Sequence, residues 1–259
     1  MEGIMNMVGQ VGRNVIQSVA KLGDATLFAL ATLRLLFAKP WQGKHFVMQM
    51  YAVGVGSLII IVITGAFTGM VLALQGYHML VKVGTEALLG PWVALSLIRE
   101  LGPVLAALMF VGRAGSSITA EIGIMRVTEQ MDALEMMAVN PQARVMLTRI
   151  IACAISLPLL VAIFDVVGLF AGYLIGVEML GVNGGVYIGE TIDKVGMIDI
   201  QAGITKSIYF GLLVGIICTY MGQRATATTE GVAKATTRAV MLCSVMVLVV
   251  DYIITSFYL

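Results

Sequence analysis

The stretch HFVMQMYAVGVGSLIIIVITGAFTGMVLALQGYHMLV (His45–Val81) contains no Asp, Glu, Lys or Arg. As one straight helix it would reach about 55 Å, at ~1.5 Å per residue. The hydrocarbon core of a bilayer is only ~30 Å thick. Such a helix must tilt, kink or project beyond the membrane, and Gly54, Gly56, Gly65, Gly69 and Gly76 offer bending points. Four further apolar runs follow. Leu88–Val111 is interrupted by Arg99, Glu100 and the Gly102-Pro103 pair, and Ile150–Val177 by Asp165. Ile204–Met221 carries Lys206 near its start, and Ala239–Leu259 holds Asp251. The reading is an all-α integral membrane protein with five transmembrane helices.

Composition agrees. Of 259 residues, 59% are hydrophobic and 12% are charged. A soluble domain carries about 25% charged residues. The mean hydropathy of +0.96 leaves more apolar surface than a soluble fold of this size can bury. Disorder, collagen and coiled coil each need polar or periodic composition and are excluded. The net charge of +1 gives no reason to expect a nucleic-acid partner. Cys153, Cys218 and Cys243 all lie in apolar runs and read as small buried hydrophobes.

Residues 1–40 read differently. Ile4, Val8, Val11, Val15, Val19 and Leu22 recur at helical spacing, with polar residues between them. Ala25–Ala38 is apolar apart from Arg34, but at about 21 Å it is too short to cross. The expectation is an amphipathic helix lying in the membrane interface and ending at Pro40, with Trp41 as an anchor.

Basic residues orient the spans. Arg13, Lys21, Arg34, Lys39 and Lys44 precede the first. Arg113, Arg126, Arg144 and Arg149 lie between the second and third, and Arg224, Lys234 and Arg238 between the fourth and fifth. These twelve share one side, against Lys82, Lys194 and Lys206 on the other. The amino terminus is expected to be cytoplasmic and the carboxyl terminus outside, with residues 178–203 forming an outer segment.

Charges inside a span cost roughly 2.5–3.5 kcal/mol on insertion scales. Arg99 and Glu100 are neighbours, so their side chains point about 100° apart and cannot simply neutralise each other. They should meet partners on other helices or line a wet cavity. Pro103 lacks an N–H, which frees the carbonyl of Arg99 and makes the backbone there polar. Antiparallel packing brings Lys206 and Asp251 to similar depth, where an ion pair would staple two helices. Asp165 has no evident partner. Glycines at four-residue spacing, Gly65/Gly69, Gly168/Gly172/Gly176 and Gly211/Gly215, permit close helix approach. Packing within one subunit is the commoner cause, a subunit interface the other.

The polar stretch from Arg113 to Arg149 is expected on the cytoplasmic side. Within it, Glu121–Val139 reads as one helix ending before Asn140-Pro141. Glu129, Asp132 and Glu135 recur every third residue, and Met131, Leu134 and Met137 form an apolar stripe. Such a helix suits docking by another protein or rests on its own membrane domain, and the residues leave both open. No phosphate-binding GxxxxGK[ST] loop occurs, so the chain should not hydrolyse ATP. No HExxH or Cys/His cluster suggests a metal, and no catalytic constellation is evident.

The segment RELGPVLAALMFVGRAGSSITAEIGIMRVTEQMDALEMMAVNP (Arg99–Pro141) closely resembles the MlaE permease family, the membrane subunits of ABC transporters that work with MCE-domain proteins. GMVLALQGY (Gly69–Tyr77), SLPLL (Ser156–Leu160) and KATTRAV (Lys234–Val240) extend the likeness along the chain. The resemblance implies a homodimeric, non-catalytic subunit in a bacterial inner membrane. It implies a cytoplasmic ATPase that binds ATP and Mg, a STAS-domain protein on that ATPase, and a periplasmic MCE-domain hexamer. The implied substrate is phospholipid, moved between membranes to maintain outer-membrane lipid asymmetry. It makes the central helix a coupling helix seated in the ATPase, with Glu121, Glu129, Met131, Asp132, Leu134, Glu135 and Met137 as contacts. It places a lipid pocket at Leu72, Tyr77, Met79, Leu80 and Leu101, near Arg99 and Glu100. Without the resemblance, a proton-coupled secondary transporter using the buried carboxylates, or a non-transporting anchor, would also fit.

Overall fold

The computed structural model describes residue 16, residues 19–20 and 23–35, and residues 43–258. Most of the expected interfacial helix, with Pro40 and Trp41, lies outside the described residues. Among those described, five helical segments are long and apolar enough to cross a membrane: His45–Val81, Glu86–Val127, Gln142–Met179, Met197–Gln223 and Thr229–Tyr258. Within them and between them the helices are α1 (residues 23–34), α2 (Gly43–Val53), α3 (Leu58–Val81), α4 (Leu89–Ser96), α5 (Gly102–Phe110) and α6 (Ser116–Val127). Then follow α7 (Gln130–Met136), α8 (Leu147–Tyr173), α9 (Gly184–Lys194), α10 (Met197–Gln223) and α11 (Thr229–Tyr258).

α8 is the central helix, packed between α3 and α10, while α11 lies against α10 and α6. In lipid, apolar side chains gain little by meeting one another, so close backbone approach decides the packing. Gly69 of α3 abuts the backbone of Gly168 in α8, and Gly211 of α10 abuts that of Cys153 and Ala154. The glycine rows therefore serve packing within one chain. A methyl group at Gly69 would overlap the Gly168 carbonyl. Gly69→Ala is expected to destabilise by about 1–3 kcal/mol, the usual cost of overpacking, measured as lost thermal stability in detergent. An exposed-site control, Gly112→Ala, meets nothing within 4 Å and should be silent.

The first segment is interrupted at two of the glycines expected to be bending points, Gly54 and Gly56. α2 and α3 are separated by a short 3₁₀ turn, Val55–Ser57. Arg113 of the second segment donates Nη1–H to the Ala52 carbonyl there (2.6 Å). Its guanidinium occupies the space a side chain at Gly56 would need.

The second segment differs from expectation. Instead of ending near Val111, it continues through Arg113 to Val127, about 63 Å of helix at ~1.5 Å per residue. Polar Ser117 and Glu121 are exposed, whereas Ile118, Thr119 and Ile122 are buried against α10 and α11. One buried stripe thus continues the helix beyond the apolar run.

The expected single helix Glu121–Val139 is two pieces. α6 ends at Val127, Glu129 takes a left-handed conformation (φ 58°), and α7 begins at Gln130. The reason is angular. In an unbroken helix Met131 would point about 180° away from Ile122. The break reorients the chain so that Ile122 and Met131 are both buried. A second left-handed residue, Ala138, closes α7.

At the opposite end, α9 starts on Asn183, whose Oδ1 accepts the N–H groups of Gly185 and Val186 (2.9 and 3.2 Å). Tyr187 anchors it, buried edge-on against Tyr173. Burial pushes the Tyr187 phenol up to about 12.

Candidate functional site

Between Leu97 and Leu101 the second segment widens into a π-helical turn. Pro103 lacks the N–H that would have taken the Arg99 carbonyl, and Lys206 of α10 supplies the missing donor. Its Nζ donates to the Arg99 carbonyl (2.8 Å) and to Glu100 Oε2 (2.8 Å). Asp251 Oδ1 of α11 lies 3.0 Å from Nζ as an ion pair, without hydrogen-bond alignment. The Lys206 side chain is 2% exposed, so these partners take the place of the water it has lost. Thr255 Oγ1 donates to Glu100 Oε1 (3.2 Å).

Arg99 leaves the same turn in another direction, as neighbours on a helix must. Its Nε–H donates to Asp199 Oδ1. The other oxygen of Asp199 accepts the Gly196 N–H (2.8 Å) at the start of α10. One carboxylate therefore caps a helix and holds an arginine.

Arg99, Glu100, Asp199, Lys206 and Thr255 line a cavity of about 390 Å³ between the second, fourth and fifth segments. Trp92, Leu95, Ile198 and Ala202 form its apolar walls. Arg99 and Glu100 are the charges a ligand can reach, with side chains 50% and 42% exposed. A cationic and an anionic group beside an apolar wall suit a zwitterionic amphiphile.

The expected Lys206–Asp251 pair is present, enlarged by Glu100. Asp199 was missed, since in the sequence it stands among the polar residues of an outer segment. Its signal was its place three residues after Gly196 at a helix start. Asp165 has no hydrogen-bond partner for its buried Oδ1 among the described residues. It lies against Gly102, where a β-carbon would overlap that oxygen.

Of the seven residues tied to a lipid pocket, only Arg99 and Glu100 line this cavity. Leu72, Tyr77, Leu80 and Leu101 are half-buried against the core of the chain, and Met79 is exposed. They belong to the first and second segments. At the basic end, Met131 is buried and Leu134 half-buried against the membrane domain. Glu129, Asp132, Glu135, Met136 and Met137 are exposed, as is Glu121. Glu121 accepts from Arg149 Nη2 (3.0 Å), tying α6 to α8. Among the described residues no group of His, Cys, Asp and Glu could hold a metal ion.

Fold and site together define a multi-pass, all-helical membrane protein with an ion-lined cavity among its helices. The family model described as Permease MlaE matches residues 46–257. The chain belongs to the MlaE permease family. It is 44% identical over 257 residues, 98% of this chain and 97% of the relative, to the intermembrane phospholipid transport system permease protein MlaE of Haemophilus influenzae. A probable ABC transporter permease protein of Rickettsia bellii is 37% identical, with 98% of each chain covered. Another from Synechocystis is 35% identical over 82% of this chain and 81% of the relative.

Proposed function

We propose that this chain is the membrane-spanning, non-catalytic subunit of an ATP-driven transporter that moves phospholipids between membranes and so maintains outer-membrane lipid asymmetry. The observation that carries this reading is the cavity with Arg99 and Glu100 at its reach and apolar walls beside them, in a chain 44% identical along nearly its whole length to a phospholipid transport permease. A lipid phosphate would pair with Arg99 and a headgroup amine with Glu100, while acyl chains run along the apolar walls. Leu72, Tyr77, Met79, Leu80 and Leu101 would extend that surface across a homodimer interface.

A cytoplasmic ATPase dimer, binding ATP and Mg and carrying a STAS-domain protein, would dock on α7 from the basic end. A periplasmic MCE-domain hexamer would receive or deliver lipid at the other. The protein would sit in a bacterial inner membrane, amino terminus inside. Because Met131 and Leu134 are turned inward, Asp132, Glu135 and Met136 are the α7 residues left for the ATPase.

The test is transfer of labelled phospholipid between two vesicle populations, one carrying the full complex. Transfer should require ATP. Ser96→Trp, which fills the cavity, should slow transfer at least ~10-fold, equivalent to the loss of about 1.4 kcal/mol, while ATP hydrolysis continues. Undiminished transfer by this variant, or transfer without ATP, overturns the reading.

A further inference from the structure

α7 stands between two clefts. One flank, with Met131, Asp132 and Glu135, lines a cleft of about 420 Å³. The other, through Leu134 and Met137, closes a separate cavity of about 400 Å³, completed by Gln49 of α2 and by Arg144 and Arg149. Two arginines and no carboxylate line this second cavity among the described residues. Arg149 has a side chain 8% exposed, bonded to Glu121 (3.0 Å) and the Val145 carbonyl (3.3 Å), and its buried Nε has no partner. Arg144 has no ion-pair partner among the described residues. The cavity therefore carries a surplus positive charge beside an apolar wall.

Its depth is informative. From Arg149 to Met179, the far end of the same segment, the helix spans about 45 Å at ~1.5 Å per residue. That is the thickness of a bilayer with its headgroups, ~40–45 Å. Arg149 is thus expected at the headgroup level of the basic side, and Arg144, five residues or about 7.5 Å further out, shares the cavity with it.

We propose that this cavity binds the phosphate headgroup of an anionic phospholipid from the adjacent leaflet, separately from the cavity at Arg99 and Glu100. Arg144 and Arg149 hold the headgroup, and Leu134 and Met137 meet the first carbons of the acyl chains. A lipid fits better than a protein segment because the surface α7 turns to water is acidic, at Glu129, Asp132 and Glu135. A partner approaching from water meets that acidic side, whereas the cavity on the other flank is lined by arginines and suits an anionic group. The bound headgroup bridges α2, α7 and α8, so occupancy fixes the position of α7. The inference does not depend on what the chain transports.

The experiment is native mass spectrometry of the full chain released from nanodiscs of mixed phosphatidylcholine and phosphatidylglycerol. The unaltered chain should retain phosphatidylglycerol preferentially, and Arg144→Gln should lower that retention about fivefold. Arg149 is braced by Glu121, so its replacement can disturb folding. Ala133→Trp fills the cavity and leaves both arginines, with the same loss expected. Unchanged retention in both variants overturns the proposal. Displacement of the lipid by millimolar inorganic phosphate also overturns it, assigning the site to free phosphate. Loss of ATPase binding with lipid retention intact overturns it too, making the cavity a protein-docking groove.

Discussion

Replacement of Lys206 by methionine is expected to cost about 3–5 kcal/mol of stability, the usual consequence of removing one partner from a buried ion pair. The side chain is similar in volume, so the loss is electrostatic. Glu100 and Asp251, now both within 3.0 Å of one ammonium, would be left facing each other, and the Arg99 carbonyl would lose its donor. Folded yield and thermal stability in detergent measure the effect. Adding Glu100→Gln and Asp251→Asn removes the stranded charges and should recover most of the stability. If the proposed lipid site is right, that triple variant should still fail in phospholipid transfer, because Glu100 has lost its charge. A stable single Lys206→Met variant would show that water or lipid, rather than the lysine, neutralises the two carboxylates.

The second large effect is expected at α7. Met136 is 89% exposed and Met137 65%, beside the exposed carboxylates of Asp132 and Glu135. Exposed methionines rimmed by charge mark a contact surface. If the proposed ATPase docks here, Met136→Asp is expected to weaken its binding by at least ~2 kcal/mol, about 30-fold, as for a central interface residue. Folding should be unaffected, because this side chain touches little of its own chain. Leu134→Asp should show the converse, with the membrane domain destabilised because that side chain packs against the core. Co-purification of the ATPase, with folded yield measured alongside, separates the two. Full ATPase binding by Met136→Asp would move the docking surface elsewhere.

The contrast between Met131, Leu134 and Met136 shows where sequence reading reaches its limit. An apolar stripe at helical spacing announces that a helix buries one face, but not against what. Here the left-handed Glu129 turns Met131 and Leu134 of the stripe onto the membrane domain and leaves Met136, outside the stripe, as the most exposed methionine of α7. The glycine rows were more legible. Four-residue spacing places glycines on one helix face, and only backbone from another helix comes that close, as Gly168 does at Gly69. Pro103 was legible for a covalent reason, since a missing N–H must leave a carbonyl seeking a donor.

The amino-acid sequence by itself determined that this is a five-span, all-helical membrane protein of the MlaE permease family, and that its intramembrane charges need partners. Hydropathy, charge placement and local covalent chemistry are properties of the chain and require no knowledge of distant contacts. Only the tertiary structure decided which charges meet. Arg99 takes Asp199, and Lys206 joins Glu100 to Asp251, across separations of about a hundred residues in two of the three pairs. The rotation of each helix sets these pairings, and backbone packing at the glycines together with the wide turn at Leu97–Leu101 fixes that rotation. A ~100° change of phase per residue is enough to send Arg99 and Glu100 to different partners. No periodicity in one segment encodes which neighbour stands opposite.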